Sequence, residues 1–165
     1  MKIIDNFLEE EYFKKLVDLI ISNKFAWYYN PFVASETEIS DSLSLWFLTH
    51  MFYDSQVPEK ILSSYYNLLL PLCDKIEIKS LLRIRANFYP NTSTLYEHQM
   101  HTDKNFSHTA AILSLNTCDG YTKIADGTKI DSVANRVVLF DAGENHCSTT
   151  TTNAKARFNI IVNYL

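Results

Sequence analysis

After Ile76 the hydrophobic pattern changes period, and that change limits the possible folds more than any other feature of the chain. Leu82, Ile84, Ala86 and Phe88 alternate with Arg83, Arg85, Asn87 and Tyr89. A period of two sends successive side chains to opposite faces of an extended strand, so this segment has one apolar and one polar face. The end of the chain repeats the pattern. Phe158, Ile160, Val162 and Tyr164 share one face of a last strand over Ala156–Tyr164, and Arg157, Asn159, Ile161 and Asn163 share the other. Between these two segments, His108–Asn116, Tyr121–Ala125, Thr128–Asp131, Arg136–Phe140 and His146–Thr150 read as further strands. Cys118-Asp119-Gly120, Asp126-Gly127 and Ala142-Gly143 supply turns between them. A run of about eight short strands predicts a β-sandwich or jelly roll. With only three glycines, some turns must use Asn or Asp.

The first half reads differently. Lys2 to Ile4 suits a short strand leading into a helix. Leu8, Tyr12, Phe13, Leu16, Val17 and Ile20 then recur at helical spacing, opposite Glu9, Glu10, Lys14, Lys15 and Asp18, with Asn23 as the expected end. Phe25 to Val33, broken by Pro31, reads as a short strand or irregular segment, and Ser42 to Tyr53 as a buried strand. His50 within that strand reads as a satisfied core residue. Pro58 is placed to start a second helix carrying Ile61, Leu62, Tyr65, Leu68, Leu69 and Leu72, with Pro71 kinking or shortening it. Helices followed by strands make the class α+β, and 165 residues suit one domain: a helical support region over 1–77 and a strand-rich core over 78–165.

Composition narrows the function. Apolar residues make up 47% of the chain, with ten Tyr and ten Phe, which argues against disorder. Fifteen basic residues against nineteen acidic give a net charge of −4 without a Lys/Arg block, which disfavours a nucleic-acid partner. Cys73, Cys118 and Cys147 form no CxxC and cannot all pair, as expected in a reducing cytoplasm. Acidic residues in MKIIDNFLEEEYF stand where an export signal needs an apolar core, and no stretch approaches the ~20 apolar residues of a membrane span.

Chemistry concentrates in YEHQMHTDKNF. His101 and Asp103, two apart, would face the same way on a strand, and an imidazole meeting a carboxylate suits a divalent metal. His146, far downstream in VVLFDAGENHCSTT, completes a two-His, one-carboxylate facial triad of the kind that holds non-haem Fe(II). Eleven residues after His146 comes Arg157, whose face of the last strand points into the barrel. A guanidinium there requires an anionic partner, and a carboxylate matches it in bidentate fashion. Asn87 and Tyr89 offer polar groups to the same ligand. His98 and His108 read as exposed residues or as outer neighbours of the triad. Cys147 should face away from it, and Arg136 belongs on the surface or in a turn.

Together these residues resemble the Fe(II)- and 2-oxoglutarate-dependent oxygenases, over roughly Leu81 to Leu165. The likeness is to the prolyl 4-hydroxylase-like branch, which includes small stand-alone bacterial and bacteriophage members. His101-x-Asp103 and His146 match the iron ligands, Arg157 the residue that binds the distal carboxylate of 2-oxoglutarate, and Tyr89 the phenol that assists it. Asp119-Gly120-Tyr121-Thr122 resembles that branch's GGxT turn, with Asp for the first Gly, and Val137 to Asp141 resembles the strand before the distal His. The resemblance implies a double-stranded β-helix (jelly-roll, cupin-like) core with N-terminal packing helices. It also implies Fe(II), 2-oxoglutarate and O2 as cofactor and cosubstrates, and a hydroxylated substrate, foremost a prolyl residue of a peptide or protein. Asp103 stands where related halogenases carry Ala or Gly, which favours hydroxylation. Asn87-x-Tyr89 and Arg157-x-Asn159 also resemble AlkB-type nucleic-acid demethylases, making Asn87 and Asn159 further cosubstrate contacts. The second Arg of that family is Asn163 here. A small-molecule hydroxylase and a non-catalytic metal-binding barrel of cupin type are the remaining alternatives.

Overall fold

A computed structural model describes residues 1–34 and 46–165. The strands are β1 (Lys2–Ile4), β2 (Tyr28–Asn30), β3 (Phe47–Asp54), β4 (Leu81–Pro90), β5 (Thr109–Ser114), β6 (Tyr121–Ile124), β7 (Lys129–Asp131), β8 (Val137–Asp141), β9 (His146–Ser148) and β10 (Ala156–Tyr164). The helices are α1 (Glu10–Ile20) and α2 (Leu70–Ile76). A seven-stranded sheet runs β1-β8-β5-β10-β4-β3-β2, and a three-stranded sheet runs β7-β6-β9. Every pairing between these strands is antiparallel. From β5 onward the chain passes repeatedly from one sheet to the other, which makes an α+β double-stranded β-helix.

Alternation decides what each face of the large sheet buries. Ile84 and Ala86 of β4 and Phe158, Ile160 and Val162 of β10 pack with Leu16 and Ile20 of α1 and Leu72 of α2. Leu16 and Ile20 are fully buried, and each contributes roughly 1.5–3 kcal/mol. On the opposite face Ile112, Val138 and Ile161 meet Ile124 and Ile130 of the small sheet. Arg83, Arg85, Asn87 and Tyr89 register against Asn163, Ile161, Asn159 and Arg157, so two polar rows run side by side on that inner face. The pairing of β6 with β7 turns through Asp126-Gly127, where Gly127 takes φ 89, a backbone region open to Gly without strain.

Most expected elements are present, with three differences. The second helix begins at a 3-10 turn over Tyr66–Leu69 and continues as α2, well after Pro58. Ile61 instead bridges Tyr53, and Pro71 sits in the first turn of α2, where its missing N–H costs nothing. Residues 1–77, expected as helical support, supply β1, β2 and β3 to the large sheet. The expected strand Ser42–Tyr53 is seen as β3, and its part before residue 46 lies outside the described residues. Lastly, His101 to Asp103 is not a regular strand: His101 makes one isolated bridge and the chain bends after it.

The N-terminal segment is tied down by Asn135, whose side chain accepts from the Leu8 N–H at 2.8 Å and donates to the Leu8 carbonyl at 2.8 Å. Arg136 pairs with Asp5 at the surface, as its position predicts. Cys73, Cys118 and Cys147 are all free. Among the described residues no helix is long and apolar enough to cross a membrane.

Candidate active site

The isolated bridge at His101 does what a longer strand was expected to do. The His101 N–H donates to the His146 carbonyl at 2.9 Å, and the His146 N–H donates back at 2.9 Å. Residues that exchange both backbone bonds stand directly opposite and share a face. Their rings lie 4.8 Å apart, centre to centre. Asp103 reaches the same point after the bend, its own N–H donating to the Ala142 carbonyl at 3.1 Å. Potential ligand atoms of His101, Asp103 and His146 all lie within 4.8 Å of one another.

Both imidazoles are set by backbone carbonyls. His101 Nδ1 lies 3.2 Å from the Gln99 carbonyl, and His146 Nδ1 lies 2.9 Å from the Glu144 carbonyl. A carbonyl only accepts, so each Nδ1 carries a proton and each Nε2 is left free of the backbone. His146 Nε2 is 3.9 Å from Asp103 Oδ2, which places that nitrogen inside the triad. Burial lowers the His101 pKa, and the neighbouring His146 lowers it further. An inward-facing set of two imidazoles and a carboxylate fits a divalent transition metal such as Fe(II).

Asp103 is held on both oxygens. Arg83 Nη2 donates to Oδ1 at 2.7 Å and Asn163 Nδ2 donates to Oδ2 at 2.8 Å. Asn163 also accepts from Arg83 Nε at 3.0 Å and lies 3.2 Å from His108 Nε2. Burial pushes the Asp103 carboxyl up, but Arg83, His146, Arg85 and the Asn163 amide outweigh it and hold it well below the usual carboxylate range. His108, expected as exposed or as an outer neighbour of the triad, is buried and takes the second role through Asn163. His98 is buried too, between Tyr89 and Tyr96. His50 is the satisfied core residue expected, bonded to the Ala26 carbonyl and Ser63.

Next to the triad is a small cavity lined by Asn87, Tyr89, Asn159, Ile112 and Ile161. Asn87 donates to Asn159 Oδ1 at 2.8 Å, and its own Oδ1 is buried with no partner. Tyr89 stacks on Phe47 at 5.6 Å. Arg157 lies beyond that ring, its guanidinium 5.4 Å from the Tyr89 centroid, and is 1% exposed. It donates to the Thr149 carbonyl at 3.3 Å and to Thr122 Oγ1 at 2.9 Å, while its Nε is buried without a partner. Its hydrogen-bond partners are thus neutral, and burial lowers its pKa. Gly120 makes the approach possible: a Cβ there would lie 2.7 Å from Arg157 Cδ and 2.6 Å from the Thr150 carbonyl oxygen. The turn 119–122 therefore supplies both the space and, through Thr122, an acceptor.

Sequence reasoning gave no role to two arginines. Arg83 anchors Asp103, and Arg85 is the guanidinium that lines the cavity beside the triad. Their signal was present, because both share the polar face of β4 with Asn87 and Tyr89. Cys147, the neighbour of His146, is fully buried and pairs in register with Lys123 of the small sheet.

No protein-family model and no curated protein matches the chain. Solved structures do. A prolyl hydroxylase from Trichoplax adhaerens, in complex with a hypoxia inducible factor oxygen degradation domain peptide fragment, superposes with TM-score 0.70 at 14% identity, covering 99% of this chain and 82% of that one. A 2OG-Fe(II) oxygenase family oxidoreductase from Burkholderia pseudomallei gives 0.67 at 10% identity, over 98% and 83%. A Pseudomonas putida prolyl-4-hydroxylase gives 0.63 at 14%, over 99% and 91%. The chain therefore has the double-stranded β-helix fold that prolyl hydroxylases and 2OG-Fe(II) oxygenases adopt.

Proposed function

We propose that residues 1–165 form one Fe(II)- and 2-oxoglutarate-dependent dioxygenase domain. The observation that carries this is the pairing of an inward-facing His101, Asp103, His146 triad with a buried Arg157 that has no anionic partner among the described residues. A metal-only barrel of cupin type accounts for the triad and leaves the buried guanidinium unexplained.

His101 and His146 would hold Fe(II) through Nε2 and Asp103 through a carboxylate oxygen, with Arg83 and Asn163 fixing the carboxylate. Arg157 would take the distal carboxylate of 2-oxoglutarate, assisted by Tyr89, with Asn87 and Asn159 offering further polar contacts. Iron, 2-oxoglutarate and O2 would supply the oxidation, 2-oxoglutarate giving succinate and CO2 as the substrate is hydroxylated. The protein's share is to orient the ligands, keep each imidazole in one tautomer and exclude water.

A prolyl residue is the first candidate target, supported by the sequence resemblance and by the prolyl hydroxylases of like shape. The AlkB-type reading loses support because Asn163, in place of a second Arg, is engaged with Asp103. Three free thiols suit a reducing cytoplasm. The test is succinate formation from 2-oxoglutarate with Fe(II) and O2, followed by mass spectrometry of candidate peptides and small imino acids. Absence of iron-dependent 2-oxoglutarate turnover would overturn the proposal.

A further inference from the structure

Arg85 is a half-buried cation that the triad and Arg157 leave unassigned. It lines the same cavity as His101, Asp103 and His146, and its Nε is fully buried without a hydrogen-bond partner. Its guanidinium packs 5.5 Å from the Phe47 ring centroid, which holds it in place but supplies no anion. Asp103 is the one carboxylate among the described residues lining that cavity, and Arg83 and Asn163 already occupy its two oxygens. Burial, and then the like charge of Arg83, bring the Arg85 pKa down to about 10.

Charge balance then points to a ligand. Counted over the described residues, and loaded with a divalent metal and 2-oxoglutarate, the site would hold five positive charges (the metal's two, Arg83, Arg85 and Arg157) against three negative ones (Asp103 and two carboxylates). An excess of buried positive charge is costly, and a hydrogen-bonded anion is the usual remedy. The interior of a peptide chain would bring neutral amides to this point. A small substrate with its own carboxylate would bring the missing charge in the planar shape that suits a guanidinium.

We propose that Arg85 is a substrate-binding residue that receives the carboxylate of a small anionic substrate beside the metal triad. This rests on the oxygenase reading and sharpens it: a prolyl target would be a free imino acid or a chain-terminal residue. The other source of a carboxylate is 2-oxoglutarate itself, and the test separates the two.

Zn(II)-loaded protein, with and without saturating N-oxalylglycine as an unreactive 2-oxoglutarate analogue, is titrated with trifluoroacetate and with neutral trifluoroacetamide, followed by fluorine NMR. Trifluoroacetate should bind at least tenfold tighter than the amide, and Arg85→Gln should remove that preference. Arg85→Lys should keep most of it, and N-oxalylglycine affinity should change less than threefold in either variant. Equal binding of the two probes by the unaltered protein, which needs no variant to fold, overturns the proposal. So does a tenfold loss of N-oxalylglycine affinity in Arg85→Gln, which would make Arg85 a cosubstrate residue. If N-oxalylglycine fails to bind the unaltered protein while trifluoroacetate still binds through Arg85, the oxygenase reading falls and the anion subsite stands.

Discussion

Arg157→Met separates a ligand clamp from a structural ion pair by the sign of its effect. Breaking a buried pair by removing one partner costs about 3–5 kcal/mol, because the other charge is stranded. Among the described residues Arg157 strands no charge: its partners are the Thr149 carbonyl and the Thr122 hydroxyl, and its Nε has none. Two lost hydrogen bonds to neutral groups cost about 1 kcal/mol each. Removing a buried, uncompensated cation returns about 1–4 kcal/mol. The two effects nearly cancel, so ligand-free stability should change by less than about 2 kcal/mol in either direction. The liganded protein should behave oppositely. The metal-loaded native protein should gain about 2.7 kcal/mol at a 2-oxoglutarate concentration one hundred times its Kd. For a chain of this size that raises Tm by roughly 5–10 °C. Losing the clamp should weaken cosubstrate binding by about 10²–10³, which erases the shift. Urea unfolding without ligand and thermal unfolding with Zn(II) and 2-oxoglutarate measure the two halves. A variant destabilised by 3 kcal/mol or more that still shows the full ligand shift would refute the reasoning and make Arg157 a scaffold residue.

Asp103→Ala, His101→Ala and His146→Ala should each abolish stoichiometric Fe(II) binding and turnover while leaving the far-ultraviolet circular dichroism unchanged; a variant that keeps full metal content is not a ligand. Gly120→Ala should destabilise by about 1–3 kcal/mol, because its Cβ would meet the Thr150 carbonyl at 2.6 Å and Arg157 Cδ at 2.7 Å. Its 2-oxoglutarate affinity should fall as well, and an unchanged urea midpoint would show that the turn yields. His50 is buried and its pKa is lowered by that burial, so its folded pKa lies below its unfolded value near ~6.5. Its share of stability is present above that pH and is lost as pH falls toward the folded pKa. His50→Gln should accordingly flatten the drop in urea midpoint between pH 7.5 and 5, and an identical slope would place the acid sensitivity elsewhere.

The elements legible in the sequence are those where one physical rule dominates. Two-residue alternation fixed both faces of β4 and β10, because one face must meet the helices and the other the small sheet. The second helix misled because Ile61, Leu62, Tyr65, Leu68, Leu69 and Leu72 satisfy a helical period without all lying in a helix. Ile61 is 57% exposed and pairs with Tyr53, a tertiary choice that local spacing does not encode. His101 and Asp103 share a face, as expected, but by another cause. The mutual backbone bonds of His101 and His146 align the rings, and Asp103 is swung in by its bond to Ala142. A short motif can thus pick out residues that the fold brings together while the geometry expected for them differs. The same limit hid Arg83 and Arg85, since alternation gives a side chain its face and leaves its partner open. Partners are set across strands. Asn163, six residues beyond Arg157, orients toward Asp103 only because β10 pairs with β4 in the register that sets it beside Arg83. Shifting that register by one residue would exchange the inner and outer faces of β10, removing Arg157, Asn159 and Asn163 from the inner face together. The site therefore depends on strand pairing as a unit, and the packing of Phe158, Ile160 and Val162 against the helices holds it in place.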